Sequence, residues 1–235
     1  MEAVEYRHGS TPLTGWLARP ESALRGAIVI FPTIINRNPH MDRRAAMLAK
    51  AGFVTMIADF YGEPVADFAA AGPLATALRA DVDHYRARLS AAIGALRGHD
   101  AAAGLPLGVV GYCMGGQAAL EAARAGEDLA LAASFHGILT TDRRAVAGDS
   151  IAPRLLICHG DADPMAPREH VLALWEEMDA CAANWHFHSY SAVKHGFTDP
   201  ESDARGLPAI AYDASADRQS WSALMALCDE VFGPA

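Results

Sequence analysis

The stretch Gly111-Tyr112-Cys113-Met114-Gly115-Gly116 decides how the rest of this chain is read. Residues 107–110 before it form a short apolar run suited to a buried strand, and residues 118–125 after it have the composition of a helix. Between them a cysteine stands with a glycine two residues away on either side. That spacing suits a strand turning sharply into a helix, where a Cβ at either flank would collide with backbone. The turn sets the sulfur at a helix N-terminus, whose N–H groups and dipole favour a thiolate. The stretch therefore reads as an elbow that displays a nucleophile, with sulfur where serine is common.

Outward from the elbow, apolar runs alternate with amphipathic stretches. This is the pattern of an α/β fold with a mostly parallel central sheet and helices on both faces. Residues 26–32, 53–58, 129–135, 154–159 and 185–190 read as further strands, and 40–50 as a helix closed by Gly52. Leu74, Leu78, Val82, Tyr85, Leu89, Ala92 and Leu96 recur at steps of three or four, which predicts one long helix with Pro73 at or before its start. Pro167 suits the first turn of another, with Val171, Leu174, Trp175 and Met178 on its buried face. Trp221, Leu224, Cys228 and Val231 stripe a last helix, and residues 4–20 suit an antiparallel hairpin at the sheet edge. Without a repeat, a low-complexity tract or a linker, residues 1–235 read as a single domain.

Nineteen basic against 28 acidic residues give a net charge of −9, which argues against a nucleic-acid or anionic-membrane partner. The start Met1-Glu2-Ala3-Val4-Glu5 has no basic segment leading into an apolar run, so no signal peptide is expected. No apolar stretch reaches the roughly 18 residues of a membrane span. The cysteines Cys113, Cys158, Cys181 and Cys228 form no C-x-x-C pair, and free thiols in a reducing cytoplasm are the expectation. The expected partner is a small molecule; monomer and homodimer both stay open.

A nucleophilic thiol needs a base, and the base needs an orienting partner. The chain supplies them in the order nucleophile, acid, histidine that α/β hydrolases use. Cys113 follows the strand at 107–110, Asp163 follows the strand at 154–159 in His159-Gly160-Asp161-Ala162-Asp163-Pro164, and His195 follows the last in Lys194-His195-Gly196-Phe197. The register of Asp163 with Pro167 favours it over Asp161. Two backbone N–H groups should hold the oxyanion: Met114, just after the nucleophile, and Ile34, in the loop after the first central strand. His186 and His188 form an H-x-H pair but have no third ligand at an obvious spacing, so they read as strand residues. The expected chemistry needs no metal and no organic cofactor.

These landmarks together resemble the dienelactone hydrolase family, the cysteine branch of the α/β hydrolases. The resemblance rests on the elbow GYCMGG, Ala58-Asp59-Phe60-Tyr61-Gly62, the acid loop DADPMAP, KHGF, and the closing residues 212–232 with their tyrosine and tryptophan. It runs from about Leu13 to Phe232. It implies an α/β-hydrolase fold, a Cys113-His195-Asp163 triad and hydrolysis of small cyclic or activated esters. Two positions depart from the family. Thr33 stands where members carry a glutamate that interacts with the nucleophile, which points to a standing Cys–His pair. Asp199 stands where a carboxylate-binding arginine is implied, four residues beyond the histidine, and an acidic group there repels a carboxylate. A neutral or cationic ester or lactone is therefore expected rather than dienelactone itself.

Loop position adds Arg37, Tyr61 and His136 as substrate-binding candidates beside Thr33 and Asp199, with Arg37 able to replace the missing arginine. Two other readings compete with the hydrolase: a catalytically silent ligand-binding member of the fold, and a redox-responsive thiol protein.

Overall fold

The computed structural model describes residues 1–21 and 23–234. Among the described residues there are eight strands: β1 (Glu2–His8), β2 (Thr11–Ala18), β3 (Gly26–Phe31), β4 (Phe53–Ile57), β5 (Leu107–Tyr112), β6 (Leu131–Phe135), β7 (Arg154–Gly160) and β8 (Trp185–Tyr190). They form one sheet in the order β1-β2-β4-β3-β5-β6-β7-β8. From β4 to β8 every pairing is parallel, while β1 and β2 make the expected antiparallel hairpin, which also joins β4 in antiparallel fashion.

The central strands are apolar along their whole length because both faces are covered. Ile28 and Ile30 point to one apolar layer, built with Met41 and Leu48 of α1 (Pro39–Lys50) and Leu224 and Leu227 of α6 (Ala214–Phe232). Val29 and Phe31 point to the other, built from α2 (Phe68–Arg79), α3 (Val82–Arg97), α4 (Met114–Arg124) and α5 (Arg168–Ala180). This is an α/β-hydrolase architecture with helices on both faces.

The single long helix expected around residues 74–96 is two helices, α2 and α3. The break comes at Asp81, whose carboxylate caps α3 by accepting from the backbone N–H groups of Asp83 and His84. Pro73 lies inside α2 rather than at its start. The apolar stripe keeps its phase across the break, because both helices turn it toward the same core layer.

The parallel strands all end at the same edge of the sheet, so the loops after β3, β4, β5, β6, β7 and β8 converge there. Among the described residues no helix is long and apolar enough to cross a membrane, and no cluster of three potential metal ligands occurs.

Candidate active site

Cys113 sits between β5 and α4 with φ +59° and ψ −119°, a conformation that an L residue adopts only when its surroundings compel it. The flanking glycines show what compels it. A Cβ on Gly111 would lie 1.7 Å from the Gly115 carbonyl oxygen, and one on Gly115 would lie 1.9 Å from that of Phe31. The Cys113 N–H is shared between the Phe135 carbonyl (3.1 Å) and Nδ1 of His136 (3.2 Å). The elbow is therefore held by close backbone contact on one side and hydrogen bonds on the other.

His195 follows β8 and is almost fully buried. Its Nδ1–H donates to Oδ2 of Asp163 at 2.7 Å, while Oδ1 of Asp163 accepts from the Met165 N–H at 2.8 Å. Backbone bonds to Ala209 and Ala211 fix the His195 segment. Its Nε2 is buried and has no hydrogen-bond partner. His195 and Cys113 both line one cavity; they influence each other's ionisation without a closed hydrogen bond, a spacing common before substrate arrives.

The electrostatics favour an ion pair. Burial pushes the Cys113 thiol up, but His195, followed by the N–H groups of Met114 and Ile34 directed at the sulfur, brings it below an ordinary thiol. For His195 burial works against the cation, and the Cys113 charge together with the bond to Asp163 overcomes it and raises the imidazole. Both shifts run toward a thiolate facing an imidazolium.

The remaining expected residues fall into three groups. Thr33, His136 and Asp199 line the cavity with the sulfur. Thr33 Oγ1 accepts from Nδ2 of Asn38 at 3.1 Å. Asp199 corrects an expectation: its carboxylate is not a bare negative wall, because Arg205 forms an ion pair with it and lies over the Phe68 ring. Tyr61 acts one step back, donating its hydroxyl to the Ile34 carbonyl at 2.9 Å and so fixing the loop that carries that N–H. Arg37 is not brought to the sulfur. It pairs with both oxygens of Asp42 and stacks on Trp16 at 4.1 Å, lining a neighbouring groove.

His40, Phe68, Thr198, Arg205 and Ile210 surround the site without having been singled out in the sequence. Nδ1 of His136 accepts from Cys113, so its proton is on Nε2 and goes to Thr198 Oγ1 (2.9 Å); the Thr198 hydroxyl then donates to Nε2 of His40 (3.1 Å). Burial lowers both imidazoles well below the usual histidine range and so favours their neutral forms. Only Thr198, three residues past His195, had a positional signal; the rest come from loops whose meeting no local spacing encodes. The free space beside Cys113 is about 20 Å³, room for about one water molecule. Phe68 and Arg205 are part of its lining.

The model of the dienelactone hydrolase family matches residues 13–232. The chain belongs to the dienelactone hydrolase family. Among solved structures, a dienelactone hydrolase-like promiscuous phosphotriesterase, P91, from metagenomic libraries superposes with a TM-score of 0.92 at 34% identity, covering 99% of this chain and 98% of that one. A probable 2-oxo-3-(5-oxofuran-2-ylidene)propanoate lactonase from Bradyrhizobium sp is 30% identical over 87% of this chain and 86% of its own. The uncharacterized protein K02A2.1 of Caenorhabditis elegans is 35% identical over 62% of this chain and 92% of its own. Membership of the dienelactone hydrolase family places the chain among hydrolases.

Proposed function

We propose that this protein hydrolyses a small ester or lactone through a thioester on Cys113, with His195 carrying the proton and Asp163 orienting it. The observation that carries the reading is the 2.7 Å bond from His195 Nδ1 to Asp163, with the opposite ring nitrogen unpartnered in the cavity of Cys113.

The thiolate attacks the acyl carbonyl, and the oxygen that gains the charge is received by the N–H groups of Met114 and Ile34. Collapse breaks the bond to the alkoxide, which leaves with the proton from His195 Nε2. The sulfur is now a neutral thioester, so the influence that most favours the imidazolium is gone. Neutral His195 takes a proton from water, the hydroxide attacks the thioester, and collapse returns the thiolate and releases the carboxylic acid. Asp163 stays ionised throughout and holds the tautomer. Every step uses groups of this chain, so the mechanism calls for no cofactor.

Substrate class follows from the cavity. Phe68 and Ile210 offer apolar surface, and Asp199 with Arg205 forms an internally neutral pair, which suits a compact neutral ester or lactone. A second reading is favoured by the relationship to the metagenomic phosphotriesterase: the same thiolate attacks tetrahedral phosphorus and turns over an activated phosphotriester slowly. The test is a panel of esters, lactones and one phosphotriester, run with wild type and Cys113→Ala in parallel. Turnover of a neutral ester or lactone that vanishes in the variant supports the proposal; equal turnover in both, or none in either, overturns it.

A further inference from the structure

His136 stands just past the end of β6, one strand over from the elbow, and like Cys113 it holds a positive φ, +39° against +59°. Two such residues, hydrogen-bonded to each other, call for a cause, since glycine would adopt either conformation without strain. At His136 the side chain supplies it. Its Nδ1 accepts the Cys113 N–H at 3.2 Å beside the Phe135 carbonyl, while its own N–H donates to the Cys158 carbonyl at 2.8 Å. The His136 ring meets that of His195 edge-on, at 5.1 Å and 69°.

A backbone N–H can only donate, so Nδ1 of His136 is a bare nitrogen and the ring is neutral with its proton on Nε2. What keeps the proton there is Thr198, whose Oγ1 lies 2.9 Å from Nε2. Thr198 is itself clamped. Its carbonyl accepts from Arg43 at 2.8 Å and from Arg44 at 3.0 Å, and both guanidiniums pair with Asp217 of α6. Its hydroxyl donates to Nε2 of His40 on α1 at 3.1 Å, and the His40 ring packs edge-on against Tyr112, the residue before Cys113. Thr198 lies in the turn that follows His195 and is fully buried. One hydroxyl therefore ties together the loop of the base, the elbow and α1.

We propose that Thr198 is a positioning residue for acyl transfer: through the tautomer of His136 it holds the Cys113 backbone, and with it the sulfur and the Met114 N–H, in register with His195. This role rests on the hydrolytic reading of Cys113. Without the hydroxyl nothing fixes the proton on Nε2. A proton moved to Nδ1 sets two donors against each other at Cys113, and its N–H is left to Phe135 alone. Binding of a neutral ester is spared, because Thr198 stands outside the lining of the cavity. Forming and breaking the thioester use the same sulfur, imidazole and amides, so both steps slow together and the loss falls on kcat.

The test has two arms. In the wild-type chain without substrate, proton–nitrogen NMR of the histidine rings reads which nitrogen of His136 is bare, and His136→Asn assigns the signal. The expected result is a neutral ring protonated at Nε2. In the second arm, Thr198→Val keeps the shape and the clamped carbonyl but drops the hydroxyl. It should lower kcat for p-nitrophenyl acetate about five- to ten-fold, the worth of one hydrogen bond, with KM near that of wild type. Thr198→Ser, which restores the hydroxyl, should recover most of that loss. A His136 proton on Nδ1 or on both nitrogens, an unchanged kcat in Thr198→Val, a loss carried by KM, or equal losses in Thr198→Val and Thr198→Ser would each overturn the proposal. The tautomer is read without turnover, so its failure is distinct from failure of the hydrolytic reading, which Cys113→Ala reports.

Discussion

Cys113 directly follows β5 and Cys158 lies within β7, with a single strand between them, and their surroundings push the two thiols in opposite directions. Burial pushes both thiols up. At Cys158 the Tyr190 hydroxyl, 4.0 Å away, is the one opposing group, and the thiol rises to about 12. At Cys113 the imidazole of His195 and two backbone N–H groups face the sulfur, and the direction reverses. An interior location by itself makes a thiol inert. What distinguishes Cys113 is the backbone turn that lifts it off the strand and into the path of a histidine and two amides.

The largest break in this comparison is removal of the sulfur. Cys113→Ala should lower kcat for p-nitrophenyl acetate on the order of 10³-fold or more, while Cys158→Ala leaves it near wild type. His195→Gln comes next. It should cost about 10²–10⁴-fold in turnover and make Cys113 behave more like Cys158. The sign follows from the lowered thiol: in wild type the thiolate is present below the ordinary range and is lost as pH falls through the shifted value. In the variant the midpoint of iodoacetamide alkylation should climb toward or past the usual value of about 8.5.

Gly115→Ala tests the turn itself. The added methyl meets the Phe31 carbonyl oxygen at 1.9 Å, and denaturant unfolding should show a loss of about 2 kcal/mol or more. The smallest effect is expected for Arg205→Ala. It removes the ion pair with Asp199 and the contact over Phe68, so neutral iodoacetamide should reach Cys113 several-fold faster, and KM for negatively charged esters should rise.

Much of this contrast was legible in the chain. Glycines two residues either side of Cys113 announced the elbow because the collisions they avoid are local to it. Asp163 and His195 were legible because each follows a strand and shares its register with a Pro or Gly turn. Arg37 and Arg205 were not. Each finds its partner, Asp42 or Asp199, through how a loop settles, and a guanidinium on a long flexible stem carries no spacing that foretells it. The break between α2 and α3 was hidden for another reason. Two helices feeding one core layer keep a continuous stripe, and the capping aspartate, Asp81, was outweighed by that periodicity.

Rapid quenching of the wild-type protein with p-nitrophenyl acetate, followed by peptide mass mapping, tests the central claim most directly. The account predicts an acetyl group on Cys113 that appears within the first turnover and decays at the rate of steady-state hydrolysis, with Cys158, Cys181 and Cys228 unmodified. Steady hydrolysis with no acetyl group on Cys113 at any time, or with the group on another residue, would contradict it.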